Sequence, residues 1–145
     1  MFAVDTNVLV HAANVDAPEH PECWALLQAW RHQVAPWHVS WNVLYEFVRV
    51  VTHPRVLRRP MPARQAWEFV DVLLQSPGLR VLHHAPAHAA TAAQLATEVP
   101  RLVGNLVHDA HTVALMRDHG IRRIYTRDAD FHRFAGIVPV DPLAP

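Results

Sequence analysis

Short apolar runs alternate with longer segments of helical spacing along the whole chain. The runs are Met1–Val4, Val34–Val39, Arg80–His83, Ile121–Thr126 and Ile137–Val140. Each is too short to be a helix and reads as a buried strand. Pro36 marks the second as an irregular or edge strand, because proline cannot donate to a ladder. Between the runs, the spacing predicts helices over Asn7–Ala13, Glu22–Arg31, Trp41–Thr52, Pro62–Leu74, Pro86–Glu98 and Gly104–His119. Asp5 or Thr6 suits the cap of the first and Ser40 that of the third, while Gly120 closes the last. Strand–helix alternation calls for right-handed crossovers and a parallel sheet of four or five strands with helices on both faces. Functional groups then belong at the carboxyl ends of the strands.

The chain has 145 residues, 51% of them apolar and 18% charged, which suits one packed core spanning residues 1–145. Its 13 basic and 13 acidic residues cancel, so nucleic acid must be met by a local patch rather than by bulk charge. Every basic residue is arginine. Mechanisms that need a lysine, such as the P-loop and the Schiff base, are therefore excluded. The single Cys23 allows no internal disulfide and no cysteine-rich zinc site, and it fits a reducing, cytoplasmic setting. No run approaches the roughly 18 apolar residues of a membrane span, and the N-terminus does not read as a signal peptide.

The acids fall at telling places. Asp5 ends the first strand, and Asp128 and Asp130 follow the fourth, so a parallel sheet puts all three on one rim. Asn105 and Asp109 lie four residues apart, about 40° around a helix, and share a face. Glu46 is the only acid in a helix otherwise rich in Val, Leu, Tyr and Phe. Each alone has an ordinary explanation: a helix cap, a solvated helix edge, a turn former. Together they pose an electrostatic problem. Two carboxylates about 4 Å apart repel by roughly 4 kcal/mol at an effective dielectric near 20. With no lysine at hand, a hard divalent cation with oxygen ligands is the natural solution, and Mg²⁺ or Mn²⁺ suits carboxylates, waters and a phosphate. Such a site performs phosphoryl chemistry.

Four motifs occur in order: Asp5-Thr6-Asn7 after a strand, Glu46 within Leu-Tyr-Glu-Phe-Val-Arg, Asn105-x-x-x-Asp109-Ala110, and Thr126-Arg127-Asp128-Ala129-Asp130-Phe131. In these the chain resembles the PIN domains, and specifically the VapC toxins of bacterial VapBC toxin–antitoxin pairs, over essentially its whole length. The resemblance implies a PIN-like three-layer α/β/α sandwich and a Mg²⁺- or Mn²⁺-dependent endoribonuclease that leaves a 5′-phosphate and a 3′-hydroxyl. Asp5 and Asp109 would be the principal metal ligands, and Glu46 would complete the acidic cluster and act on the attacking water. Asp128, with Asp130, would ligate metal directly or through water, with Asp128 favoured as the fourth acid. Thr6, Asn7, Asn105 and Thr126 would hold the carboxylates in place. The implied partners are RNA, a VapB-type antitoxin and a second copy of the chain, with higher assembly on antitoxin binding.

Other features carry competing readings. Arg49, Arg55, Arg58, Arg59 and Arg64 around His53–Pro62 form one candidate phosphate-binding cluster, and Arg127 and Arg133 form another beside the acidic rim. The same Arg127 and Arg133 also suit plain neutralisation of Asp118 and Asp128. Trp24, Trp30, Trp37, Trp41 and Trp67 suit core packing first and an antitoxin-binding groove second. The 12 histidines do not favour zinc: Pro86 interrupts the His84/His88 pair, and His108 and His111 point away from Asp109. A phosphatase with a nucleophilic Asp or a phospho-receiver domain would need a further acid or a lysine that this chain lacks. The non-enzymatic alternative is a PIN-like module that binds RNA or protein without cleaving it.

Overall fold

The computed structural model describes residues 1–144. Strands β1 (Phe2–Val4), β2 (Trp37–Ser40), β3 (Leu79–Leu82), β4 (Arg123–Tyr125) and β5 (Val138–Val140) form one parallel sheet in the order β3-β2-β1-β4-β5. The helices are α1 (Thr6–Ala13), α2 (His20–His32), α3 (Trp41–Val51), α4 (Ala63–Leu74), α5 (His88–Glu98) and α6 (Leu106–Asp118), with a short 3-10 turn at Ala129–Arg133. All strands run the same way, so β1 and β4, paired in the centre, deliver the residues after them to one rim.

Alternation along the strands divides the core. Val4, Trp37, Val39 and Leu79 pack with the apolar sides of α1 to α4, among them Leu9, Leu27, Phe47 and Val70. Ala3, Leu82 and Ile124 pack against Leu95 of α5 and Val113, Leu115 and Met116 of α6. This is the α/β/α sandwich expected from the alternation of runs. Helix α3 shows why its pattern was legible: Val43, Leu44, Phe47 and Val51 are fully buried at helical spacing. Helix α6 differs. Thr112 to Met116 are buried in succession, so its middle is covered all round and no amphipathic stripe appears.

Two expectations are corrected. Strand β2 is interior, between β1 and β3, with every residue buried. Pro36 stands just before it, so no ladder donor is lost, and the edges are β3 and β5, where Pro139 sits without penalty. Ser40 occupies the N-cap position of α3, but its hydroxyl makes no cap bond and is buried without a partner among the described residues. The first turn of α6 is open, with Val107 and His108 exposed and Asp109 half-buried.

Gly78 has a steric role at the entry to β3. A Cβ there would stand 2.5 Å from the carbonyl oxygen of Ala35 and 2.7 Å from that of Gln33, both backbone atoms. The Gly78 carbonyl accepts from the Trp37 amide at 3.0 Å, which starts the β2–β3 pairing. Gly78→Ala therefore forces the two segments apart and should cost about 1–3 kcal/mol, the range for overpacking. Urea denaturation reads this directly; an unchanged midpoint would show that the loop yields freely.

Candidate active site

Asp5 follows β1 and caps α1, with its own amide still donating to the Tyr125 carbonyl of β4 at 3.0 Å. Its carboxylate is buried and surrounded by donors. Oδ1 accepts from the Thr6 amide at 2.7 Å, and Oδ2 accepts from the Thr126 hydroxyl at 2.7 Å and from the Asn7 side-chain amide. The Asn7 amide also donates to Thr126 Oγ1 at 3.0 Å, and Asn7 Oδ1 accepts from the Arg127 backbone at 3.2 Å. Thr126 Oγ1 in turn accepts from the Asp128 amide at 2.9 Å. This network ties the loop after β1 to the loop after β4, residues separated by more than a hundred positions.

Around it lies a cavity of about 390 Å³ lined by Asp5, Glu46, Asp109, Asp128 and Asp130, with Thr6, Asn7 and Asn105. Glu46 enters from α3; its Oε2 accepts from the Thr6 hydroxyl at 3.0 Å, and its Oε1 pairs with Arg49 at 3.2 Å. Asp109 enters from the first turn of α6 and Asp128 from the cap of the 3-10 turn, where it accepts from the Asp130 amide at 2.8 Å. Helix N-termini carry partial positive charge, and both Asp5 and Asp109 stand at one. Asn105 lines the cavity four residues before Asp109, without a side-chain hydrogen bond among the described residues.

The electrostatics are those of too many like charges with too little water. Burial pushes the Asp5 carboxyl up to about 6, even though Thr126 and Thr6 donate to its charged form and oppose the shift; Glu46 and Asp128 add to the rise. Asp109 is less enclosed yet rises to about 7, through burial first and then the charges of Asp128, Asp5, Asp130 and Glu46. The difference is physical: Asp5 has donors, whereas Asp109 faces mainly other acids. One carboxylate oxygen each from Asp109, Asp128 and Asp130 lies within 4.8 Å of the others. Octahedral ligands at 2.0–2.1 Å stand about 3–4 Å apart, so small side-chain rotations would let these oxygens share one hard cation. The carboxylate oxygens of these three acids fit Mg²⁺ or Mn²⁺.

The arginines divide. Arg49 stands on the cavity side of α3, and Arg55 and Arg58 are exposed. Arg59 is engaged by Asp16 through bonds of 2.9 and 2.5 Å, and Arg127 by Glu19 at 2.5 Å. Neither Arg127 nor Arg133 neutralises Asp118, which lies under α5; Arg133 stands 3.6 Å from Asp130. The tryptophans also divide, with Trp30 and Trp37 in the core and Trp24, Trp41 and Trp67 partly exposed. Trp24, Leu27, Phe69 and Val72 line an apolar groove of about 280 Å³ between α2 and α4. Two histidines also line the acidic cavity: His11, which the sequence does not single out, and His108, which lies beside Asp109 there rather than pointing away from it as its spacing suggested. His11 lies one helical turn after Asn7, a spacing that points it to the same face. Burial holds its ring below the usual imidazole value, opposed by Glu19 and reinforced by Arg127.

Comparison with known proteins agrees with this geometry. The family model described as PIN domain matches residues 2–137. Ribonuclease VapC48 of Mycobacterium tuberculosis is 37% identical over 141 residues, which cover 97% of this chain and 96% of that protein. Ribonuclease VapC43 of the same organism is 35% identical over 134 residues, or 92% and 90% of the two chains. Among solved structures, M. tuberculosis VapC20, described as a sarcin–ricin-loop-cleaving toxin, superposes with a TM-score of 0.69 at 26% identity, over 95% of this chain and 97% of that one. VapBC2 from Rickettsia felis gives the same TM-score at 17% identity over 96% of each chain, which speaks for the fold. The chain belongs to the PIN-domain family, in the branch of the VapC ribonucleases.

Proposed function

We propose that this chain is the toxin of a VapBC-type pair and that it hydrolyses RNA phosphodiester bonds with Mg²⁺, or Mn²⁺ in its place. The observation that supports it is the convergence of Asp5, Glu46, Asp109, Asp128 and Asp130 on one open cavity, in a branch whose named relatives are ribonucleases. Asp5 and Asp109 are the principal metal ligands, with Asp128 and Asp130 completing the set directly or through water. A divalent ion held by these acids would supply Lewis-acid polarisation of the phosphate and a more acidic water. Glu46 orients the attacking water and takes its proton, with Thr6 and Arg49 fixing the carboxylate. Thr126, Thr6 and Asn7 hold Asp5 in one orientation, and Asn105 borders Asp109. Arg49, Arg55, Arg58 and Arg133 meet RNA phosphates beside the cavity, while Arg59 and Arg127, tied to Asp16 and Glu19, contribute through the shape of their loops. The antitoxin partner, in this reading, lays an apolar helical segment in the groove between α2 and α4. The chain is proposed to act as a homodimer that assembles further with antitoxin. No helix of the described residues is long and apolar enough to cross a membrane.

Cleavage of end-labelled RNA by the purified protein tests the proposal. Activity should require Mg²⁺ or Mn²⁺ and vanish with EDTA. Asp5→Ala and Asp109→Asn should each reduce it by at least about 100-fold, and Thr126→Val by about 10–100-fold, as expected when a group that orients a metal ligand is lost. RNA binding without cleavage in Mg²⁺ or Mn²⁺ would identify a non-cleaving module instead.

A thermal prediction follows from the raised carboxyls. Asp5 and Asp109 bind protons more tightly in the folded chain, at about 6 and about 7, than in the unfolded one, at 3.8. Their contribution to stability is therefore complete below about pH 4 and is lost as pH rises through 7. Without metal, Asp109→Asn should raise the melting temperature most at about pH 8, less at about pH 5, and leave it nearly unchanged only at about pH 4. The gain from Mg²⁺ should follow the same profile in the unsubstituted protein. A metal effect equal at all of these pH values would contradict the charge-repulsion account.

A further inference from the structure

A cluster of three histidines lies outside the acidic cavity and has no part in the proposed cleavage. His84 stands in the loop after β3, His88 begins α5, and His111 projects from the middle of α6. One ring nitrogen of each lies within 4.8 Å of those of the other two. The Nε2 atoms of His84 and His111 face each other at 2.9 Å, and the His84 ring centroid is 4.4 Å from that of His88. Pro86 stands in the turn between His84 and His88, and across that turn both rings meet His111. The sequence spacing that argued against a helical pair therefore has no bearing on this arrangement.

The cluster has the supporting carboxylate that histidine metal sites use. Asp118, whose side chain is only 2% exposed, takes the Nδ1 of His88 at 2.5 Å. A carboxylate only accepts, so in the neutral ring that nitrogen carries the proton and Nε2 keeps the lone pair a metal needs. Asp118 is itself held by the Thr91 hydroxyl at 2.9 Å and the Ala85 amide at 3.4 Å. A buried acid that fixes one ring's tautomer is the usual companion of a zinc-bound histidine. The distances also suit the metal. With Zn–N bonds of 2.0–2.1 Å, tetrahedral nitrogens stand about 3.4 Å apart, so His84 and His111 need to separate by roughly half an ångström. His84 is exposed and the other two half-buried, which leaves the fourth position open to water.

We propose that His84, His88 and His111 form a binding site for Zn²⁺ or a similar borderline divalent metal, with Asp118 orienting His88. Nitrogen donors select such metals over Mg²⁺, so this site and the acidic cavity take different ions. His111 and Asp109 are two residues apart on α6, about 160° around its axis, so the two sites lie on opposite sides of one helix. Bound metal fastens the loop before α5 to α6.

The test is a titration of metal-free protein with Zn²⁺ against a chromophoric chelator, with millimolar Mg²⁺ present. One equivalent should bind, and His84→Ala or His111→Ala should each weaken that equivalent at least about 100-fold, with Asp118→Asn weakening it about 10–100-fold. Asp109→Asn should leave it in place. Co²⁺ in place of Zn²⁺ should give the intense visible absorption of a four-coordinate ion, lost in His84→Ala. Folding of each variant is read by circular dichroism, and the exposed His84 makes that variant the decisive one. Zinc binding that survives in folded His84→Ala and His111→Ala, or no stoichiometric binding at all, overturns the site.

Discussion

The crowding of negative charge at the carboxyl rim of the sheet is the constraint on which the rest of this structure turns. Five acids line one cavity, and two of them are pushed far above the usual carboxylate range. The fold does not remove that repulsion; it positions it. Asp5 is locked by donors from Thr6, Asn7 and Thr126, so the chain cannot relieve the strain by swinging that carboxylate out to water. Two helix N-termini lend partial positive charge, and the remaining imbalance is what a divalent cation would neutralise. In this reading the chain stores the electrostatic demand for a metal within its own packing.

Helix α6 connects most of what is functional here. Its middle is buried on every side, which fixes its rotation about its own axis. That fixed rotation aims Asp109 into the acidic cavity and His111 toward His84 and His88, with Asp118 seven residues further on supporting His88. Because α6 packs against both α5 and the sheet, the two sites share the same supporting core residues, Val113 and Met116 among them. The interactions that make the fold stable are thus the ones that make the two clusters geometrically defined.

Much of the fold was legible because the apolar runs are short and separated by strong helix patterns. The acids stood out because they interrupt or terminate those runs, where an unpaired charge is costly. Other features were not legible for local reasons. Pro36 marked β2 as an edge strand, yet one residue decides whether a proline sits inside a ladder or just before it. Ser40 satisfied a capping rule at the right position, but tertiary packing buried its hydroxyl away from the helix amides. Arg59 and Arg127 read as phosphate-binding candidates, and Arg127 also as a partner of Asp118 or Asp128, yet Asp16 and Glu19, distant in sequence, hold them.

The order of elements, the buried face of amphipathic helices such as α3 and the identity of the acids at the strand ends are set by the sequence itself, since periodicity acts over a few residues. The meeting of those acids, the pairing of Thr126 with Asp5 and the gathering of the three histidines are decided only when the sheet closes and α6 docks. Such contacts join residues tens of positions apart, and no local spacing encodes a distance that depends on the path of every element between them.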